Sequence, residues 1–165
     1  MKHLYRIIFY SIVLIICLVM GVLGLTEKNR QYNSRKDELI SIASLFNNSN
    51  YIKSYKENGV TINAKLTNYG ISISYNGVNN YHYKFVLTNN YLYTTFDEGD
   101  PVANMFVMLI ADSISQYYGE SEGTIYNMFT SKEYLNLSLN DGIELETKNN
   151  KSFVKVNLDN PTKNK

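Results

Sequence analysis

The sequence predicts an α+β fold behind one N-terminal transmembrane helix. A single domain is expected, with an antiparallel sheet of about seven strands, in a four-strand and a three-strand meander, packed on one face by two or three helices. Three observations predict it. The N-terminal region holds an uncharged apolar run, apolar residues recur at every second position from Val60, and Asp100-Pro101 opens a long stretch of helical period. The 165 residues leave room for one core, since domains run to about 100–150 residues. An apolar fraction of 44% against 19% charged belongs to a chain that buries enough surface to offset ordering entropy.

Tyr is frequent at 15, Trp is absent and Pro numbers only 2. With Asn abundant and Lys outnumbering Arg, this is the bias of an AT-rich, bacterial genome, so tyrosine abundance by itself carries little functional meaning. Formal charge is +1; setting aside Lys2 and Arg6 leaves 14 of the 16 basic residues against 15 acidic ones. Binding a phosphate backbone needs concentrated basic surface, so no nucleic acid partner is expected. The one cysteine, Cys17, lies in the apolar run. The rest of the chain therefore has no intramolecular disulfide and no thiolate nucleophile or ligand.

Ile7 to Leu25 carries no charge over 19 positions, which as a helix span about 28 Å, close to the hydrocarbon thickness. Residues 1–25 are accordingly read as a membrane anchor in contact with the lipid bilayer through Ile7–Leu25. A cleaved signal peptide is the alternative, with Lys2 and Arg6 as its basic start, and would leave a secreted domain. Lys28, Arg30, Arg35 and Lys36 outnumber the basic residues ahead of the run, and charge bias alone opposes export. The short basic N-terminus before an apolar run is nevertheless the form of an export signal. The expectation is a single-pass cell-membrane protein with an extracytoplasmic C-terminal domain.

Residues 26–33 are polar and aperiodic and read as a tether. Residues 34–160 form the domain, and 161–165 a disordered tail. Ser34 with Asp37 resembles a capping box, which would start a helix burying Leu39, Ile42, Ala43 and Phe46. Val60, Ile62, Ala64 and Leu66 make the first strand, and a Tyr69-Gly70 turn would set Leu66 against Ile73. A five-residue loop over Asn76–Asn80 pairs Tyr75 with Tyr81, Ile73 with Tyr83 and Ile71 with Phe85; a tight Asn-Gly turn would oppose Ile73 to Asn80. An Asn89-Asn90 hairpin then pairs Leu87 with Leu92 and Tyr83 with Phe96.

Asp100 caps and Pro101 starts a helix running to Gly119, with Val102, Met105, Phe106, Leu109, Ile110, Ser113 and Tyr117 inward and Asn104, Asp112 and Ser115 outward. A shorter helix near Glu122–Thr130 is expected. Three strands follow, on Leu135/Leu137/Leu139, Ile143/Leu145 and Val154/Val156/Leu158.

Chemistry-bearing residues are few. The hairpin register puts His82 opposite Asp97 on the solvent face, where the pair could orient a general base beside Glu98 and Asp100. No Ser, Thr or Cys nucleophile motif accompanies it, and a cross-strand polar pair explains it equally. Asp97, Glu98 and Asp100 could ligate a hard cation, although the spacing is not that of a calcium loop, and acids at a helix N-terminus are favourable through the dipole. Tyr91, Tyr93, Lys84 and His82 share the solvent face and could stack on sugars or anchor a protein. No cofactor is implied. These features lead to a non-enzymatic binding or accessory module at the bacterial surface, with a protein or cell-wall polymer as partner. The alternatives are a hydrolase or transferase using His82 with Asp97, Glu98 and Asp100, and a structural spacer without ligand.

Overall fold

The computed structural model describes residues 2–125, 127 and 142–159. The first element, α1 (Lys2–Asn48), is one uninterrupted helix, which corrects the expectation of a tether over residues 26–33 and of a helix start at Ser34. Glu27, Lys28, Arg30 and Gln31 there are good helix formers, no Gly or Pro interrupts the segment, and side chains support the helix. Thr26 Oγ1 donates to the Leu23 carbonyl at 2.8 Å, and Glu27 accepts from Arg30 at 3.0 Å and Gln31 at 3.3 Å. Ser34 Oγ donates to the Gln31 carbonyl at 2.8 Å and so caps nothing. The N-terminal part of α1 is long and apolar enough to cross a membrane, and from Phe9 to Leu25 none of the described side chains is buried against protein. Its C-terminal part packs on the domain, with Leu39, Ile42 and Phe46 fully buried.

Ser49 ends the helix and caps α2 (Asn50–Glu57), accepting from the Ile52 amide at 3.2 Å. The Glu122 carboxylate adds a second anchor at this N-terminus, accepting from the Asn50 amide at 2.5 Å and its side chain at 2.7 Å. A carboxylate there complements the helix dipole.

Four strands follow as a meander: β1 (Thr61–Thr67), β2 (Gly70–Asn76), β3 (Asn80–Thr88) and β4 (Tyr91–Asp97). After α3 (Pro101–Tyr117) come β5 (Ile143–Lys148) and β6 (Lys151–Asn157). The sheet is antiparallel in the order β1-β2-β3-β4-β6-β5, so the last hairpin docks through β6 and β5 is outermost among the described strands. Six strands are described; the strand expected on Leu135–Leu139 lies outside the described residues, as does the tail over residues 161–165. Of the expected helix at Glu122–Thr130, Thr124, Ile125 and Asn127 are helical and the remainder beyond Asn127 is outside the described residues.

The loop at Asn76–Asn80 has the expected register: Tyr75 faces Tyr81, Ile73 faces Tyr83 and Ile71 faces Phe85. The first hairpin does not. Its turn is Asn68-Tyr69, and Leu66 pairs with Ile71 and Ala64 with Ile73, two residues from the expected register. Gly70 belongs to β2 rather than to the turn, paired with Thr67 and Val86, and only glycine fits there, since a Cβ would stand 2.0 Å from the Phe85 carbonyl oxygen of β3. A two-residue slip keeps every side chain on its face, so the apolar pattern alone could not choose between the two. In the Asn149-Asn150 hairpin both turn residues have positive φ, 53° and 59°, matching the twist of the flanking strands.

One face of the sheet is packed by α1, α2 and α3. Phe106 of α3 is its centre, with ring centroids 6.2 Å from Phe46, 5.5 Å from Tyr83 and 6.3 Å from Tyr75. Helix α3 is buried on more sides than its pattern suggests. Asp112 and Ser115, expected outward, are 1% and 0% exposed, while Tyr117, expected inward, is 43% exposed. The free edge of β1 is blocked by Asn47, whose side-chain amide pairs with the Ala64 backbone in both directions at 2.8 Å. It imitates a strand partner where an open edge would invite pairing.

Candidate functional site

The open face of the sheet is organised by one row of register partners crossing all six strands: Thr67, Gly70, Val86, Tyr93, Lys155 and Glu144. Tyr93 is the pivot. On one side, Tyr91, Tyr93, Thr88, Asn89, Glu144 and Lys155 line a depression of about 180 Å³. Lys155 stands 6.0 Å above the Tyr91 ring and donates to Glu144 at 2.8 Å. That hydrogen bond, followed by the charge of Glu144, raises the Lys155 pKa. On the other side, a shallow cleft of about 350 Å³ over the seam between β3 and β4 is lined by His82, Lys84, Val86, Tyr93 and Thr95, among others. The four residues singled out on the solvent face thus border two adjoining hollows, with Tyr93 in both.

His82 and Asp97 are not brought together as register partners. The paired register between β3 and β4 covers Thr88–Tyr91, Leu87–Leu92 and Val86–Tyr93 and goes no further. Asp97 pairs instead with Lys151 of β6 and accepts a hydrogen bond from its ammonium. Glu98 is exposed, and its amide donates to the Asn150 carbonyl at 3.0 Å. Asp100 holds the start of α3 in place. Its Oδ1 accepts from the Val102 and Ala103 amides at 2.9 and 3.0 Å, and its Oδ2 accepts from the Tyr83 hydroxyl at 2.7 Å. Burial, then the hydrogen bond to Asp100, pushes the Tyr83 phenol well above its ordinary range. The three acids therefore do not converge, and among the described residues no group of three His, Cys, Asp or Glu side chains is placed to hold a metal ion.

The buried carboxylate of Asp112 accepts from the Ile125 amide at 2.9 Å through Oδ1, and from the Gly123 amide at 2.9 Å and Gln116 at 3.0 Å through Oδ2. It fixes the segment after α3 to the helix. A buried charge requires such compensation, and the arrangement accounts for Asp112 by structure.

A larger hollow, about 550 Å³, lies where α1 leaves its apolar stretch. Leu25, Lys28 and Tyr32 of α1 form one wall, the β1–β2 turn with Tyr69 a second, and Lys84 to Leu87 of β3 the floor. The Tyr32 and Tyr69 rings meet edge to face at 6.4 Å. Reading residues 26–33 as a tether concealed this site. The signal was the spacing of Leu25, Lys28 and Tyr32, three and four positions apart, which continues one helical face past the apolar run. No protein-family model, no curated protein and no solved structure matches this chain.

Proposed function

We propose that the chain is a membrane-anchored, non-enzymatic binding module, held outside the cytoplasm of a bacterial cell, that meets a protein or cell-wall polymer through the open face of its sheet. The carrying observation is that α1 joins two roles in one continuous helix. Its unburied apolar part suits lipid, and its C-terminal part covers only one face of the sheet, leaving Tyr91, Tyr93, His82 and Lys84 on the other. Paired hollows floored by tyrosine suit the flat faces of sugar rings or the aromatic anchors of a protein interface. The His82–Asp97 pairing that motivated a catalytic reading has no counterpart in the register.

The test uses the full-length chain in living cells with a photo-crosslinking residue at Thr95, which lines the open-face cleft and not the hollow beside α1. One discrete adduct is expected, lost when Tyr91→Ala and Tyr93→Ala are combined. An adduct indifferent to that pair, or none, would overturn the reading. Protease added to intact cells should degrade the domain; protection until lysis would reverse its orientation.

A further inference from the structure

We propose that the hollow between α1 and the sheet is a binding site for an anionic phospholipid of the bilayer that α1 crosses. This rests on the spanning reading of Ile7–Leu25; Lys84, which lines both this hollow and the cleft on the open face, is shared with the proposed partner surface. Depth along α1 is the first argument. Leu25 ends the apolar run, and at 1.5 Å per residue Lys28 lies about 4.5 Å and Tyr32 about 10 Å beyond it. Each headgroup layer is about 5–8 Å thick, which puts Lys28 at the level of the phosphates and Tyr32 just beyond the layer.

The second argument is charge. Lys28 and Lys84 are the charged residues lining the hollow, both basic, and no carboxylate lines it. Among the described residues neither lysine has an ion-pair partner, whereas the neighbouring Arg30 is paired with Glu27 and Arg35 with Glu38 and Asp159. Two cations without anions beside a layer of phosphates are complementary to an anionic headgroup.

The third is the chemistry of the walls. Leu25 is 58%, Tyr69 42% and Val86 41% exposed, an apolar surface continuous with the membrane side of α1. A glycerol backbone and the first carbons of an acyl chain would cover it while the phosphate meets the lysines. The volume of about 550 Å³ suits part of one lipid, within the common range for small-molecule sites of about 300–1,000 Å³.

The chain has no tryptophan, so Tyr69→Trp places a single reporter in the hollow. The full-length variant is reconstituted into phosphatidylcholine vesicles holding a fixed minor fraction of phosphatidylglycerol. Either lipid is brominated in turn, and quenching is compared at equal brominated fraction. Stronger quenching by brominated phosphatidylglycerol is expected, each lysine favouring the anionic lipid by about fivefold. Lys28→Gln with Lys84→Gln should erase the preference, and Lys36→Gln, on the same helix but outside the hollow, should leave it.

Equal quenching by both lipids in protein that floats with the vesicles would overturn the proposal and spare the spanning reading. So would a preference that Lys36→Gln reduces as much as the double variant, which would indicate diffuse surface charge. Loss of the preference on adding soluble glycerol 3-phosphate would assign the hollow to a free phosphate compound instead. Failure to float with the vesicles would overturn both readings.

Discussion

Asp112 illustrates how one side chain can organise a segment that follows its own helix. Its two oxygens serve different amides, Ile125 through Oδ1 and Gly123 through Oδ2, so Asp112→Asn must turn an NH₂ group toward one of two buried donors. Leaving a buried donor unmet costs about 1–3 kcal/mol, and a fall of that size in unfolding free energy is expected, measured by urea titration in detergent. Tyr83 gives a prediction in pH. Burial and the Asp100 carboxylate raise its pKa above that of the unfolded chain, near 10. The stability it contributes is therefore complete below about pH 10 and is lost as pH rises beyond. Tyr83→Phe should lower stability at pH 7 by about 1–2 kcal/mol and make the fall above about pH 10 shallower; a midpoint series across pH reads both. Tyr118, raised by burial and by Glu38, keeps part of that fall in the variant. The role of Asp112 was not legible beforehand, because its spacing with Asn104 and Ser115 mimics a solvent face while its backbone partners, Gly123 and Ile125, lie after the helix.

At the scale of elements, α1 decides how the domain is carried. A flexible tether would let the sheet reorient above the membrane, whereas a continuous helix transmits position. Spin labels at Val22 and Lys36, 14 residues apart, should give one narrow distance near 21 Å; a broad distribution centred elsewhere would restore the tether. The clamp that seats α1 is polar. Arg35 donates to Glu38 at 3.0 Å, to Asp159 at 2.5 Å and to Asn90 at 3.2 Å, and Asn90 donates to Asp159 at 2.6 Å. Burial works against the Arg35 charge, but hydrogen bonding to Asp159 and the field of Glu38 outweigh it, and its pKa rises. The strands were more legible than the helix junction. Period two identified both faces in β1 to β4, and opposing Ile73 to Tyr83 rather than to Asn80 selected the second loop. The first hairpin was missed because a slip of two residues leaves that same period unchanged.

For the whole molecule, the division of labour lies between a lipid-suited helix, a packed sheet face and an open one. The full-length chain is expected in the membrane pellet after ultracentrifugation of broken cells, resistant to alkaline carbonate and released by detergent; unprocessed protein in the supernatant would refute it. The sequence by itself determined what is local: the uncharged run before Thr26, the alternation that separates core from solvent face, and the Asp100-Pro101 helix start. Each depends on residues a few positions apart, whose geometry is set by helix rise, strand pleat or capping. Only the tertiary structure decided the first hairpin's register, the docking of β6 against β4, the burial of Asp112 and the hollow joining Lys28 to Lys84. These depend on groups far apart along the chain, such as the Phe85 carbonyl that excludes a Cβ at Gly70. Such approaches exist only once the elements have packed.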